Sequence, residues 1–174
     1  MRSRLVAFFA ALCLFLAAVE YAVPKPLPFL RLGLTNLPVI LSLQKMRRRE
    51  TLLLVLLKIV GQGILTGTIF SYVFVFSAAG SLASAVAMLT LYAAGKRAIS
   101  AVGLSLAGAL TNNLAQLALA RWLLFGVSAR YIAPVLLTTG FISAVLLGIV
   151  TERFMRKSRW FASLPQAAAN GAGA

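Results

Sequence analysis

Between short clusters of Lys and Arg, this chain runs apolar for stretches long enough to cross a hydrocarbon layer, and any fold it adopts must accommodate that alternation. A transmembrane helix needs roughly 20 mostly apolar residues, with about 17 tolerated. Six candidate spans emerge. The first is Leu5 to Val23, and the second runs from Phe29 to Leu43 after the turn Pro24, Lys25, Pro26, Leu27, Pro28. Thr51 to Ala94 is too long for one crossing, and Gly61, Gly63 and Gly67 favour a break within it. This gives Thr51 to Leu65 and Ser71 to Ala94. Ile99 to Phe125 and Tyr131 to Thr151 follow, separated by the turn Gly126, Val127, Ser128. The expected fold is an all-α integral membrane domain over residues 1–157. Residues 158–174 turn Ala- and Gly-rich and read as a disordered tail, with Trp160 and Phe161 at the lipid interface.

The basic residues test this division, because short cytoplasmic loops carry excess Lys and Arg. Arg2 and Arg4 precede the first span; Lys45, Arg47, Arg48 and Arg49 join the second to the third. Lys96 and Arg97 join the fourth to the fifth, and Arg153, Arg156, Lys157 and Arg159 follow the sixth. Twelve of the seventeen basic residues thus fall on one side, whereas the opposite loops hold Lys25 and Arg130. Six spans with both termini cytoplasmic, in the cell's inner (cytoplasmic) membrane, are the expectation. Arg2 and Arg4 before an apolar run also resemble a cleaved signal peptide, but Val19, Glu20, Tyr21 make a poor small-x-small site.

A net charge of +14 would suit nucleic acid if it lay on a water-exposed surface, yet here it punctuates a chain that is 61% hydrophobic and 11% charged. No nucleic-acid partner is expected. The acids are Glu20, Glu50 and Glu152; there is no Asp and no His. Holding Mg²⁺ against a diphosphate takes several oxygen ligands, and zinc or imidazole acid/base chemistry takes His. No catalytic residue, metal site or cofactor is therefore expected. Cys13, within an apolar run, reads as a small hydrophobe.

Three basic residues remain inside spans: Arg31, Lys58 and Arg121. Such charges are costly and usually face a protein interior or an aqueous cavity. At about 1.5 Å per residue, Lys58 lies roughly 12 Å beyond Glu50, near mid-membrane. Asn36 sits about two turns beyond the start of the second span, and Asn112, Asn113 and Gln116 lie roughly 20 to 27 Å along the fifth. Lys58 and Gln62 are i, i+4, as are Asn112 and Gln116, so each pair shares a helix face. The expectation is an outward-opening pocket lined by Arg31, Asn36, Lys58, Gln62, Asn112, Asn113 and Gln116 that favours an anionic or carbonyl-rich ligand. The plainer alternative is hydrogen bonding between helices for the amides and snorkelling for Arg31 and Arg121. Small residues repeat every four positions, as at Ala7 and Ala11 and at Ala79, Ala83 and Ala87. They read as close helix packing, or, on the first span, as a docking stripe for a partner subunit.

The stretch Leu30-Arg-Leu-Gly-Leu-Thr-Asn-Leu-Pro38 resembles the R-[IL]-G-x-x-N-[ILV]-P segment of substrate-binding S components of energy-coupling factor (ECF) vitamin transporters. The run from Lys58 to Tyr72, with Gly80-Ser-Leu-Ala-Ser and Gly108-Ala-Leu-Thr-Asn-Asn-Leu-Ala-Gln116, is similar to the Gx transporter family, also known as heptaprenyl diphosphate synthase component I. The resemblance covers about residues 29–150. It implies a six-helix S-component-like bundle that binds substrate from outside and turns its Ala-rich first helix to a transmembrane coupling subunit. The chain has no G-x-x-x-x-G-K-[ST] sequence, so uptake would need separate ATPases. The two family names imply different functions. One is capture of a small anionic or amphipathic metabolite for uptake; the alternative is a non-catalytic accessory subunit of isoprenoid-quinone synthesis or of quinone- or flavin-linked electron transfer. A lipophilic ligand would enter sideways among aliphatic and aromatic side chains, whereas a vitamin would be enclosed by polar groups.

Overall fold

The computed structural model describes residues 2–22, 33–95 and 99–165, and all regular structure in them is helical. The helices are α1 (Arg2–Ala22), α2 (Asn36–Lys45), α3 (Arg48–Leu65), α4 (Tyr72–Gly95), α5 (Ala101–Leu119), α6 (Ala129–Lys157) and the short α7 (Arg159–Ser163). Within these, Arg4–Ala22, Tyr72–Gly95 and Ala129–Lys157 are long and apolar enough to cross a membrane. The remaining long helices carry polar residues in their interiors: Lys58 in α3, and Asn112, Asn113 and Gln116 in α5.

The chain reverses where glycine permits it. α3 ends at Leu65, and Gly67 follows at φ +65°, a left-handed conformation that a side chain disfavours. Thr66 supports the turn by donating its hydroxyl to the Gln62 carbonyl at 2.8 Å. The segment expected to run unbroken to Phe125 leaves α-helical geometry after Leu119, widening into a π-helical turn over Ala120–Phe125. Gly126, at φ +51°, then opens a short 3₁₀ turn through Ser128. At the other end of α5, Ser100 caps the helix by accepting from the Gly103 amide at 3.1 Å. The expected second span is shorter than predicted where it is described: its helix begins at Asn36, and residues 29–32 lie outside the described residues.

Two layers meet on α2. α1 packs on α3 and α2, while α5 lies between α4 and α6; α2 touches α1, α3, α4, α5 and α6. That central place explains its burial: Pro38, Val39, Ile40, Leu41, Ser42, Leu43 and Lys45 are all buried in a helix of ten residues. α1 contributes one face, Val6, Phe9, Cys13, Ala17 and Glu20, spaced three or four apart as helical geometry requires. Together with Leu54, Met88 and Leu104, these side chains form the core.

Of the tail expected to be disordered from Ser158, residues 158–165 are described, and Arg159–Ser163 of them form α7. Ser158 caps α7 by accepting from the Phe161 amide at 3.1 Å, and Phe161, placed at the lipid interface by the sequence, is instead buried in the core. Lys45 lies over its ring at 4.9 Å and donates to the Leu164 carbonyl at 2.9 Å. Trp160, half exposed, rests on Phe8 at 5.1 Å. Burying one such aromatic side chain stabilises by roughly 1.5–3 kcal/mol, enough to hold a short segment against the bundle. An Ala- and Gly-rich composition hid one hydrophobic anchor.

Candidate functional site

Two buried charged residues of the first layer, Glu20 and Lys58, are hydrogen-bonded within the bundle. Glu20, at the end of α1, is 1% exposed and accepts from the backbone amides of Gly33 and Leu34 at 3.4 and 3.1 Å. These amides precede the N-terminus of α2, where backbone N–H groups and the helix dipole both favour a carboxylate. Asn36 begins α2, and its side-chain carbonyl accepts from the Lys58 ammonium at 2.7 Å. Lys58 is itself 3% exposed, a depth at which a charge needs partners. Two of the expected ligand contacts are thus joined to each other. Gln62, one turn beyond Lys58, is buried, and its side-chain oxygen makes no hydrogen bond. Arg31 lies outside the described residues.

The second layer is built from small residues and neutral amides. Gly108, Asn112 and Gln116 recur every four positions along α5 and face Gly80 and Ser84 of α4. A methyl group at Gly80 would collide with the Asn112 side-chain oxygen and lie 3.1 Å from the Gln116 amide nitrogen. On the α6 side, a methyl group at Gly140 would collide with the Asn113 amide nitrogen, and one at Gly148 would come within 2.6 Å of the Val102 Cα. The glycines therefore set the close approach of these helices. Asn113 donates to the Leu136 carbonyl at 2.9 Å and accepts from Asn112 at 3.3 Å. Gln116, 1% exposed, makes no side-chain hydrogen bond, nor does the Ser84 hydroxyl.

Beside the Asn113 contact, α5 and α6 leave a cavity of about 510 Å³. Leu106, Ala109 and Leu110 line it from α5, and Leu137, Phe141 and Ile142 from α6, with Asn113 and Thr138 as its polar groups. Leu110, Phe141 and Ile142 are exposed, so the cavity is a groove open at its side. Of the six described residues among the seven expected to line a pocket, Asn113 alone borders this groove. Asn36, Lys58 and Gln62 belong to α2 and α3, and Asn112 and Gln116 to the α4 face of α5. Ala7 and Ala11 sit off the buried face of α1 and are exposed. Sequence reasoning missed the groove because Leu110 and Phe141 carry no mark that separates them from any lipid-facing residue.

Among the described residues, no group of three or more His, Cys, Asp or Glu is placed to hold a metal ion. Exposed cations gather at one end instead. Lys45 links α2 to the segment after α7, which brings Arg47, Arg48 and Arg49 to the same end as Arg153, Arg156, Lys157 and Arg159. Glu152 pairs with Arg156 at 2.7 Å, and Glu50 accepts from the Arg47 amide at 2.8 Å.

A family model described as heptaprenyl diphosphate synthase component I matches residues 9–154. No curated protein and no solved structure matches the chain. The family match carries the synthase-component description and neither transporter name.

Proposed function

The chain belongs to the heptaprenyl diphosphate synthase component I family, and on that premise we propose that it is the non-catalytic, membrane-embedded accessory subunit of a long-chain prenyl diphosphate synthase. The observation that carries this reading is the α5–α6 groove: apolar, open at its side and bordered by a single amide, it suits a lipophilic chain entering from the bilayer. A pocket for a small anionic metabolite would instead be lined by Lys58, Asn36 and Gln62. Lys58 and Asn36 are bonded to each other, which weakens the uptake reading.

In this reading the chain crosses the membrane six times with both termini in the cytoplasm, as the distribution of its basic residues favours. α3 and α5 then cross despite their polar residues, because those residues face neighbouring helices. The carboxylates that would hold Mg²⁺ against a diphosphate come from another synthase component, since this chain has three Glu and no Asp. Asn36, Lys58, Gln62, Asn112 and Gln116 act in this account chiefly as the polar framework, and Asn113 as the residue nearest the ligand.

Gentle detergent extraction of the tagged chain from its own membranes tests the proposal. The expected result is co-elution with an Asp-rich subunit and Mg²⁺-dependent elongation of a prenyl diphosphate by the eluate. Co-elution with ATPase subunits and no elongation would overturn it in favour of uptake.

A further inference from the structure

We infer that α6 carries both halves of a binding site for a long-chain polyprenyl diphosphate, with the isoprenoid chain in the α5–α6 groove and the diphosphate at the basic end of the same helix. This rests on the accessory-subunit reading and goes beyond it by naming the ligand and where each part sits.

The first half of the argument is the shape and chemistry of the groove. At about 510 Å³ it falls within the roughly 300–1,000 Å³ of ordinary ligand pockets. Its walls are Leu, Ala, Phe and Ile side chains, and its mouth faces the lipid side through Leu110, Phe141 and Ile142. A branched hydrocarbon needs such walls and gains nothing from a polar enclosure.

The second half is periodicity and charge. Thr138 lines the groove, and Arg156 follows it by eighteen residues, which is about five full helical turns and returns to the same side of the helix. The separation is roughly 27 Å along the axis, so an extended chain lying in the groove reaches the basic end. Arg153 and Lys157 flank Arg156 there, all exposed. Guanidinium groups recognise phosphate oxygens with paired N–H donors. Glu152 is the adverse group: it accepts from one Arg156 nitrogen at 2.7 Å, which leaves the remaining donors of a 78% exposed side chain to the ligand. The chemistry that fits both halves is an amphipathic molecule with a long apolar body and a polyanionic head.

The test uses the full-length chain in lipid nanodiscs and compares heptaprenyl diphosphate, heptaprenol and an anionic phospholipid as competitors for binding. The diphosphate is expected to bind most tightly. Ala109→Phe, which fills the groove, is expected to weaken both isoprenoids by about tenfold or more, the worth of one good contact. Arg153→Gln combined with Arg156→Gln is expected to weaken the diphosphate by a similar factor of about ten and leave the alcohol unchanged. Thermal unfolding of each variant identifies any that fails to fold, and the arginine pair, lying at the exposed end, keeps the proposal testable if Ala109→Phe does not fold. Equal binding of alcohol and diphosphate, equal competition by the phospholipid, or a folded Ala109→Phe protein that binds unchanged would each overturn it. If the chain co-elutes with an active synthase yet shows any of these outcomes, the accessory reading stands and the two-part site falls.

Discussion

The two layers of this bundle solve the problem of polar groups in a membrane in opposite ways. In the α1–α3 layer two of the buried groups are charged and both are held, Glu20 by backbone amides before α2 and Lys58 by Asn36, while the neutral Gln62 leaves its side-chain oxygen without a hydrogen bond. In the α4–α6 layer they are neutral amides and hydroxyls set among glycines, and two of them, Ser84 and Gln116, make no side-chain hydrogen bond. A buried charge held by its neighbours ties helices together, whereas close glycine crossings with neutral amides leave a groove beside them. Charge inside a span was the stronger signal in the sequence, and on the proposed reading it belongs to the framework; the groove lies where the signal was weak.

The sharpest way to break this contrast is to remove the buried ammonium. Lys58→Met leaves the partly buried Asn36 carbonyl without its donor and is expected to cost about 1.5–3 kcal/mol, the range for a hydrogen bond to a charged group. Thermal unfolding in detergent reads this directly. If Lys58 served mainly to bind ligand, the variant would unfold as the parent does, and the distinction between the layers would fail.

A second prediction concerns the glycines, which are not equivalent. Gly148→Ala brings its methyl group within 2.6 Å of the Val102 Cα, a backbone atom that moves only if α5 moves. Gly61→Ala meets the end of the Leu14 side chain at a similar distance, and that side chain can rotate. Overpacking of the first kind is expected to cost about 1–3 kcal/mol, and the second well under 1 kcal/mol. Equal effects in the two would mean that the α5–α6 crossing is not closely packed.

Much of this was legible in the chain and some was not, for physical reasons. The helices, the reversal near Gly67 and the turn at Gly126 to Ser128 follow from apolar runs and glycine alone. The burial of Lys58 followed from its place within an apolar run. Its partner did not, because Asn36 lies twenty-two positions away on another helix and local spacing carries no such contact. Burial of Phe161 was hidden by the Ala- and Gly-rich residues after it, since one anchor barely shifts composition. The groove depends on how α5 sits against α6, and no single residue announces it.

The smallest expected effect lies where the two layers come closest in chemistry. Asn113 is an amide like Asn36, here buried, but its donor goes to a backbone carbonyl, Leu136 O at 2.9 Å, and its partner at the acceptor is the neutral Asn112 at 3.3 Å. Hydrogen bonds of this kind between membrane helices average about 0.6 kcal/mol. Asn113→Leu is therefore expected to lower the unfolding temperature only slightly while making the groove wholly apolar except for Thr138. Unfolding of this variant beside Lys58→Met measures the difference between the layers on one scale. A loss for Asn113→Leu as large as for Lys58→Met would show that this amide is framework too, and that the groove is a consequence of packing rather than a place for a ligand.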